Sequence, residues 1–422
     1  MNSSFFNILS NPSNKAISIF KISIKIGLIY YRTRLCFNTR LFIRGIPYVS
    51  QNRTVRMTAI AEKFATENYD IICLQEVWSV EDFKMIRAKT EEQLPYSHYF
   101  YSGVLGSGIC ILSRFPIKDV IFHKWPLNGY VHKIHHGDWF GGKGVGLCRL
   151  QIHNMNINVY IAHLHAEYNN HSNEYTAHRV LQAFDTAQFI RMTSGGADSV
   201  ILGGDLNAEP QDLAYKIICG VAGLADACSN ISSNLGTNEC ANNSYTSSKL
   251  ARTCPEGKRI DHILYQGSKN VKIEVANFQH PFPKRIPYKD FSYSDHEAIM
   301  ATFKFIPGEF QTINVDIKDS IKEAISICET SLKTVRRWRF WYLLVGCILI
   351  IPLVWSMGLD CSFTSLDVTI GLNVIRIFLT AILCYILFMS SLWNSVETNA
   401  LKAGCLGMEI YLANLNNNLC KK

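Results

Sequence analysis

Short apolar runs alternate with polar, helix-like stretches between about residues 41 and 305, a pattern that predicts an α/β domain. Two stretches carry apolar residues at helical spacing, Val55–Glu67 and Thr176–Thr193. Five short apolar runs predict strands: Ile71–Leu74, Gly108–Leu112, Val145–Leu150, Ile157–Ala162 and Val200–Leu202. Charged or histidine residues follow several of these runs directly, so we expect a functional site at the strand ends.

Two longer apolar runs lie near the C-terminus, Phe340–Met357 and Ile377–Trp393, and the second can be extended back to Val368. Each is close to the length of ~20 residues that crosses a hydrocarbon layer of ~30 Å. Two such runs after a complete α/β domain are hard to place in a soluble core, so we interpret them as a transmembrane helical hairpin. Pro352 predicts a kink in the first of these helices.

The charges that flank the hairpin predict its orientation. Four basic residues precede the first helix: Lys333, Arg336, Arg337 and Arg339. The loop between the helices carries Asp360 and Asp367. Because positively charged flanks stay in the cytosol, we expect a multi-pass membrane protein with both ends of the hairpin and the α/β domain in the cytosol. Short spans favour the thinner endoplasmic reticulum bilayer or another internal membrane.

The chain divides into five predicted segments. They are a basic N-terminal segment 1–44, an α/β domain 45–305, an amphipathic connector 306–339, two transmembrane helices 340–395 and a cytosolic tail 396–422. The connector has apolar residues at helical spacing, so it lies on the bilayer or packs on the domain, and we expect packing. The N-terminal segment lacks the pattern of a secretory signal, which leaves a transit peptide or an incorrect gene model as its interpretations.

The composition indicates a membrane-associated part and gives no sign of a cysteine zinc site. Hydrophobic residues make up 48% of the chain and the mean hydropathy is +0.05, high for a soluble enzyme. The net charge of +8 suits either a nucleic acid or an anionic membrane surface. The 14 cysteines form no CxxC pair and no zinc-binding spacing, so we expect reduced cytosolic thiols.

Acidic, amide and histidine residues recur beside the predicted strands in a specific order. They are Gln75-Glu76, His163, Gly204-Asp205-Leu206-Asn207, Arg259-Ile260-Asp261 and Ser294-Asp295-His296. Each fragment alone is weak evidence, but the ordered set resembles the DNase-type endonuclease/exonuclease/phosphatase superfamily. The resemblance implies a four-layer α/β sandwich, in which two packed β-sheets are flanked by helices, here followed by the C-terminal transmembrane hairpin.

The resemblance also implies phosphodiester hydrolysis with a divalent cation. A cation on carboxylate oxygen neutralises the anionic substrate, and Glu76 matches the family's metal ligand for Mg²⁺, with Mn²⁺ as a substitute. A histidine suits a general base near neutral pH, and His296 matches that base. Asp295 is its neighbour, and either orients it or binds metal.

Four further residues receive roles from the same resemblance. Asp205 and Asn207 are expected to position water and phosphate, because an amide can donate to a phosphate oxygen without adding charge. His163 is expected to donate to the phosphoryl oxygen as charge builds in the transition state. Asp261 is expected to support the site by pairing with a histidine.

A second group of motifs is not general to the superfamily. It consists of Gly45–Ser50, Glu76–Ser79, Leu127–Tyr130, His135–Phe140 with Gly142-Lys143, and His163–Tyr168. These motifs resemble neutral sphingomyelinases, particularly the type with two C-terminal transmembrane helices. The resemblance implies phospholipase C-type hydrolysis of sphingomyelin to ceramide and phosphocholine, with activity on lyso-phospholipids in some members. It implies an integral membrane protein that acts on membrane sphingolipid, with no nucleic acid substrate.

Four of the charged and histidine residues near these motifs also have plainer, structural interpretations. The segment His135–Lys143 is a loop near the site, in which Lys143 binds substrate or has a structural role. His165 is interpreted as a packed or surface histidine and His178 as structural. Glu297 is interpreted as a surface charge.

The chain departs from the neutral sphingomyelinase pattern at the first strand. The family carries an Asn shortly before Gly45-Ile46-Pro47, where this chain has Leu41–Arg44. Phe42 occupies the Asn position without a gap, and Asn38 reaches it only with one. Phenylalanine cannot bind Mg²⁺ or donate to phosphate, so either the protein lacks this group or residues 1–44 come from an incorrect gene model.

Two rival functions stay open on the sequence. The first is another phosphodiesterase of the same fold, a nuclease or an inositol-phosphate phosphatase, against which the predicted membrane hairpin counts. The second is a non-catalytic membrane protein that binds lipid, for which the departure at Phe42 is the support.

Overall fold

The computed structural model of the 422-residue chain describes residues 24–30, 52–104, 106–133, 138–168, 174–229, 235–311, 316–358 and 366–419. The sequence expectations on Asn38, Leu41–Arg44, Gly45–Ser50, residues 134–137 and Asp360 lie outside these residues.

The described residues form strands and helices in alternation. The strands are β1 (Ile24–Tyr30), β2 (Ile71–Gln75), β3 (Tyr96–Tyr99), β4 (Cys110–Ser113), β5 (Ile117–Lys124), β6 (Gly144–Ile152), β7 (Met155–His163), β8 (Ser199–Asp205), β9 (Ala225–Asp226), β10 (Asp261–Gly267), β11 (Val271–Gln279) and β12 (Ile299–Pro307). The helices are α1 (Arg53–Thr66), α2 (Val80–Thr90), α3 (Asp138–Gly141), α4 (Thr176–Thr193), α5 (Leu213–Ala222), α6 (Ser248–Thr253), α7 (Lys318–Met357), α8 (Leu366–Phe388) and α9 (Asn394–Leu419). A π-helical turn, Met389–Trp393, joins α8 to α9.

The strands form two six-stranded sheets. The first has the order β11-β12-β1-β2-β4-β3 and the second the order β5-β6-β7-β8-β10-β9. In the first sheet β1 and β2 are parallel, and in the second β7 and β8 are parallel. The remaining neighbours in both sheets pair in antiparallel fashion. Each parallel pair has its carboxyl ends at one edge, where polar side chains from neighbouring strands meet.

Side chains along β2 alternate between two cores. Ile71 and Cys73 pack between the sheets, against Val159 and Ile201 of the second sheet. Their neighbours in sequence point to the other face of β2, where α1 and α2 cover them. Both faces of this strand are therefore buried, which explains its continuous apolar run.

The second sheet is covered in the same way. Alternate residues of β8, such as Val200 and Leu202, face away from the first sheet into a core with α4 and α5. The molecule thus has four layers, helix, sheet, sheet and helix, which confirms the predicted fold. The predicted strands and helices are also present, with small shifts at their ends.

The strand β1 lies in the N-terminal segment 1–44, before the predicted start of the α/β domain at residue 45. It comprises Ile24–Tyr30 and pairs with β12 and β2 in the first sheet. Ile24, Ile26 and Leu28 alternate with Lys25 and Gly27 along it, which is the period of a strand.

The connector packs on the α/β domain, as expected. It forms the first part of α7, and its buried face comprises Ile317, Ile321, Ala324, Cys328 and Val335. These side chains continue the outer core of the second sheet. Residues after the hairpin, expected to form a tail, are the helix α9, whose Leu401 and Met408 are buried in the same core. At Gly404 a Cβ atom would lie 1.8 Å from Leu181 Cδ2 of α4, so a larger residue there would displace the Leu181 side chain.

The apolar parts of α7 and of the helix from Asp367 to Asn417 are long and apolar enough to cross a membrane. Only 11% of each apolar window is buried. Ile351 is 68% exposed and Ile377 is 70% exposed, which is unlike a helix in a soluble core. The two helices are in contact at Gly346, where a Cβ atom would lie 3.3 Å from Ile386.

The second apolar helix begins at Leu366, before Ile377 and close to the extended bound Val368, so Arg376 and also Asp367, expected in the loop, lie inside it. The Arg376 guanidinium donates hydrogen bonds to the carbonyl and the hydroxyl of Ser356. Ser356 is in the last turn of α7, where carbonyl groups lack partners within their own helix. Arg376 therefore satisfies the end of the neighbouring helix, which explains a charge in this apolar stretch.

Candidate active site

The ends of five strands meet at one edge of the two sheets. β7 and β8 are parallel and end there, with His163 paired to Asp205. β10 begins there, because it is antiparallel to β8 and Asp261 is paired to Asp205. Glu76 follows β2 and His296 precedes β12. The structure thus brings together the acids and histidines that the sequence predicted at strand ends.

Glu76 adopts an unusual backbone conformation that fixes its carboxylate. Its φ is 60°, in the left-handed region, which is unfavourable for a residue with a Cβ atom. The next residue, Val77, donates its N–H to the Gly108 carbonyl at 2.9 Å. Trp78 donates from Nε1 to Glu76 Oε2 at 2.8 Å. These contacts hold a largely buried carboxylate at the end of β2.

His163 lies among three charged groups. Its Nε2 is 3.7 Å from Glu76 Oε1 and 3.7 Å from Asp205 Oδ2. The Nζ of Lys143 is 3.3 Å from the same nitrogen. Lys143 also forms an ion pair of 2.8 Å with Asp138. A buried ammonium group is therefore held between Asp138 and the histidine at the centre of the site.

Asp138 is the residue that makes a buried Lys143 possible. Burial raises the pKa of the Asp138 carboxyl, but the charge of Lys143 and hydrogen bonds from Lys143 and Tyr168 outweigh it. Its pKa consequently lies well below the usual range, and the carboxylate stays charged. Both side chains of the ion pair are less than 10% exposed.

The end of β8 forms a tight loop that orients two further residues. A Cβ atom at Gly204 would lie 1.8 Å from the Ala162 carbonyl oxygen, so glycine is required where β7 and β8 approach. Asp205 Oδ1 accepts a hydrogen bond of 2.8 Å from the Asn207 backbone N–H. Asn207 has a φ of 45° and donates from Nδ2 to the Leu164 carbonyl at 2.9 Å.

Asp261 and His296 form a buried acid–histidine pair. The Asp261 Oδ2 atom is 2.8 Å from His296 Nδ1, and both side chains are at most 2% exposed. Burial lowers the pKa of His296, but the carboxylates of Asp261, Asp205 and Asp295 outweigh burial and raise it to about 9. The expected pairing of Asp261 with a histidine is thus observed, and it leaves His296 Nε2 as the nitrogen that faces away from Asp261.

The residues around Asp205 fit a divalent cation. Burial and the carboxylate of Asp261 raise the pKa of Asp205 to about 7. Its Oδ2 atom is buried and accepts no hydrogen bond from the residues that the structure describes. Ligand atoms of Asp205, Asp261 and His296 lie within 4.8 Å of one another. A hard cation would supply the positive charge and the oxygen contact that this arrangement lacks.

Glu76 lies outside the group formed by Asp205, Asp261 and His296. Glu76 was the predicted metal ligand, but the group of mutually close ligand atoms does not include it. Glu76 faces the same Nε2 atom of His163 as Asp205 does, from a distance of 3.7 Å in each case. His296 is bonded to Asp261 through Nδ1. Hard cations prefer oxygen ligands, so the carboxylate oxygens of Glu76 and Asp205 suit such a cation.

The other highlighted residues have structural contacts. Asp295 is 7% exposed, and its Oδ1 lies 3.5 Å from the Ser294 hydroxyl. His165 stacks on Tyr175 with ring centroids 4.1 Å apart, and burial lowers its pKa to about 4. His178 is buried with a pKa well below its ordinary value, because of burial. Both histidines are thus packed, as interpreted.

The interpretation of Glu297 as a surface charge was incomplete. Glu297 is only partly exposed, and its Oε1 accepts a hydrogen bond of 2.9 Å from Asn243 Nδ2. The same Asn243 amide donates to the Ser294 carbonyl at 2.9 Å. Glu297 therefore helps to fix the loop that carries His296.

Two supporting residues were missed by the sequence argument. Asp138 lies in the quoted segment before Lys143, and an acid beside a lysine in an apolar, glycine-rich stretch is a signal for a buried pair. Arg179 lies in the predicted helix α4 and donates to the Asn207 carbonyl at 2.6 Å. No local pattern marks Arg179, because its partner is 28 residues away in the chain.

Comparison with known proteins identifies the family. The Endonuclease/Exonuclease/phosphatase family matches residues 35–296. A Drosophila melanogaster protein described as a candidate neutral sphingomyelinase is 38% identical over 431 residues, which cover 88% of this chain and 96% of that protein. Human sphingomyelin phosphodiesterase 2 is 42% identical over 262 residues, which cover 61% of this chain and 62% of that protein.

A solved structure agrees with the fold. Sphingomyelinase C from Streptomyces griseocarneus is 18% identical, with a TM-score of 0.50, and the match covers 67% of this chain and 99% of that one. The two-sheet sandwich and its strand-edge site define a member of the phosphodiester-hydrolase class of this fold. The chain belongs to the Endonuclease/Exonuclease/phosphatase family and, within it, to the neutral sphingomyelinases.

The buried ion pair yields a testable stability prediction. Lys143→Met leaves the Asp138 carboxylate buried without its partner, so we expect the free energy of unfolding to fall by about 3–5 kcal/mol. The double variant Asp138→Asn with Lys143→Met removes both charges and should recover much of the loss. Thermal unfolding of the detergent-solubilised protein measures both changes.

An exposed pair serves as the control for this cycle. Lys84→Met removes the partner of Glu81, in an ion pair whose side chains are 63% and 79% exposed, and should shift the unfolding temperature little. If Lys143→Met behaved like Lys84→Met, the buried pair would not contribute as described.

Proposed function

We propose that this protein hydrolyses the phosphodiester bond of sphingomyelin to release ceramide and phosphocholine. The observation that carries the proposal is the Asp261–His296 pair, which stands beside the buried Asp205 at the strand edge. The similarity to proteins named neutral sphingomyelinase and sphingomyelin phosphodiesterase 2 supports the substrate. Two exposed apolar helices support access to a membrane lipid. Lyso-phospholipids carry the same type of bond, so we include them as further substrates.

His296 is the proposed general base. Asp261 binds its Nδ1 and so leaves Nε2 to take a proton from the attacking water. The water oxygen forms a bond to phosphorus, the bond from phosphorus to the ceramide oxygen breaks, and that oxygen takes up a proton from solvent, so that ceramide leaves as the alcohol. Asp295, the sequence neighbour of His296, contributes negative charge that favours its protonated form.

The phosphate group is proposed to bind between β7 and the β8 loop. One Asn207 amide hydrogen is used by the Leu164 carbonyl, and the second is available for a phosphate oxygen. The Lys143 ammonium, held by Asp138, places positive charge beside His163. His163 and Lys143 together would oppose the negative charge that develops on the phosphoryl oxygens.

The cation that we propose is Mg²⁺, with Mn²⁺ as a substitute, held by Glu76 and by the unbonded Asp205 Oδ2 atom. When bound, it would neutralise part of the negative charge of the substrate phosphate. The donor set supports this choice, because both groups offer carboxylate oxygen and hard cations prefer oxygen ligands.

The membrane arrangement that we propose is a hairpin with the catalytic domain in the cytosol. The basic residues Arg336, Arg337 and Arg339 lie on α7 at the domain end of its apolar part. The single Arg376 of α8 is paired to Ser356 at the opposite end. The excess of positive charge at the domain end supports the cytosolic orientation, and the short spans support an internal membrane such as the endoplasmic reticulum.

Removal of His296 tests the assignment of the base. His296→Ala should lower kcat by about 10²–10⁴-fold on sphingomyelin in mixed micelles, because proton transfer from water is lost. His123→Ala is the matched control, since it removes a histidine paired to Asp185 at 2.6 Å outside the site. Equal activity of the two variants would rule out His296 as the base.

The pH profile tests the role of Asp261. Its carboxylate raises the pKa of His296, so the neutral base forms only at higher pH, and activity should rise with pH through that pKa. Asp261→Asn removes the charge, so the acidic limb of log kcat/KM should move to lower pH while the plateau falls. An acidic limb that stays in place would show that another group titrates.

Removal of Glu76 tests the cation site. Mg²⁺ at 100 times its Kd should stabilise the wild-type protein by about 2.7 kcal/mol, and Glu76→Gln should lose most of this effect. The measurement is the Mg²⁺-dependent rise in unfolding temperature. Glu81→Gln, at an exposed carboxylate of α2, is the control and should keep the full rise. A full rise in Glu76→Gln together with a loss in Asp205→Asn would move the cation away from Glu76.

A further inference from the structure

The π-helical turn Met389–Trp393 lies where the second apolar helix meets the catalytic domain. A π-turn contains one more residue than an α-helical turn, so it rotates the side chains that follow by about 100°. Trp393, the last residue of this turn, contacts Trp139 with ring centroids 5.6 Å apart and an angle of 83° between the planes. Edge-to-face contact of this kind is a favoured aromatic geometry.

Polar contacts fix the same end of the hairpin. Trp393 donates from Nε1 to Glu397 Oε1 at 2.8 Å. Asn394 donates from Nδ2 to the Val335 carbonyl of α7 at 2.9 Å. Asn394 and Glu397 are 6% and 3% exposed. The first turn of α9, directly after the π-turn, is therefore bonded to α7 through Asn394, and the hydrogen bond to the buried Glu397 orients the Trp393 ring.

The first apolar helix contacts the same side of the domain. Trp338 of α7 lies against Tyr130, with ring centroids 5.2 Å apart, and against His132 at 4.5 Å. Both partners belong to the loop that follows Leu127. The domain end of the hairpin thus contacts two parts of the connection between β5 and β6, the stretch that carries Tyr130 and His132 and the helix α3.

Trp139 connects the hairpin to the charged groups of the site. It lies in α3, a helix of four residues, directly after Asp138. Asp138 binds Lys143 at 2.8 Å, and Lys143 lies 3.3 Å from His163. A helix of one turn has little stability of its own, so its position depends on the side chains that it contacts.

We propose that the membrane hairpin is a positioning element of the active site, and that Trp393 acts through Trp139 to hold the Asp138–Lys143 pair beside His163. This inference rests on the proposed function, because its kinetic effect is on phosphodiester hydrolysis. Trp393 is a positioning residue, because it acts through its contact with Trp139. The hairpin consequently does more than retain the enzyme at a membrane, since release of its domain end would displace a buried charge.

Substitution of Trp393 in the full-length, detergent-solubilised protein tests the proposal. Trp393→Ala should speed backbone hydrogen exchange in peptides that cover residues 138–147. It should also lower kcat about 5- to 10-fold on a water-soluble phosphocholine diester, the range that loss of one aromatic pair supports, with KM little changed. Trp393→Phe keeps an aromatic ring and should restore most of both values. A soluble substrate separates this effect from lipid access.

Trp341→Ala is the matched control. Trp341 lies on α7, is 54% exposed and contacts Phe340 beside it, so its loss should leave both measurements at the wild-type values. If Trp393→Ala unfolds the protein, Trp139→Ala and Trp139→Phe test the same contact from the domain side. Wild-type exchange and wild-type kcat in Trp393→Ala would overturn the proposal, and so would faster exchange without a change in kcat. Absence of turnover in the wild-type protein would instead refute the proposed function, while the exchange experiment would still report on the contact.

Discussion

The pairing of β7, β8 and β10 places His163, Asp205 and Asp261 side by side at one edge of the second sheet, and the site depends on this register. Two carboxylates are buried there, one across from the other, and burial of negative charge is unfavourable without compensation. His296 supplies part of the compensation through its bond to Asp261. Asp205 keeps one oxygen without a hydrogen bond from the described residues, so the protein retains a place for positive charge. The uncompensated negative charge at this edge is unfavourable for folding. It also attracts a cation, which can in turn bind an anionic substrate.

The Lys143–Asp138 ion pair places a buried positive charge in the site. Lys143 would be unfavourable in the interior alone, and Asp138 stabilises it while leaving it in contact with His163. Trp139, next to Asp138, contacts Trp393 of the hairpin. The two apolar helices are also continuous with the domain: the first part of α7 and residues of α9 share a core with α4 and α5. The hairpin and the domain are thus one packed unit among the described residues, and a change at their junction reaches the charged groups of the site through Trp393 and Trp139.

The sequence was sufficient for the fold and most of the site because both depend on short patterns. Buried strands such as β2 and β8 have continuous apolar runs, and the residue types at their ends match a known order. Strand β5 was missed, because most of its side chains are exposed and its apolar run, Val120-Ile121-Phe122, has only three residues. Arg179 and the Trp139–Trp393 contact were missed for a different reason: they join residues far apart in the chain, and no local pattern records them. Strand β1 was missed although its residues alternate like a strand, and its pairing with β12 joins residues far apart in the chain.

The measurement that tests the central claim most directly is hydrolysis of sphingomyelin by the purified full-length chain in water enriched in ¹⁸O, followed by mass spectrometry of both products. The account predicts turnover that requires a divalent cation, with one ¹⁸O atom in phosphocholine and none in ceramide, because water attacks phosphorus and the ceramide oxygen leaves. Label in ceramide would contradict this chemistry. Absence of turnover with Mg²⁺ or Mn²⁺ present would contradict the proposed function itself.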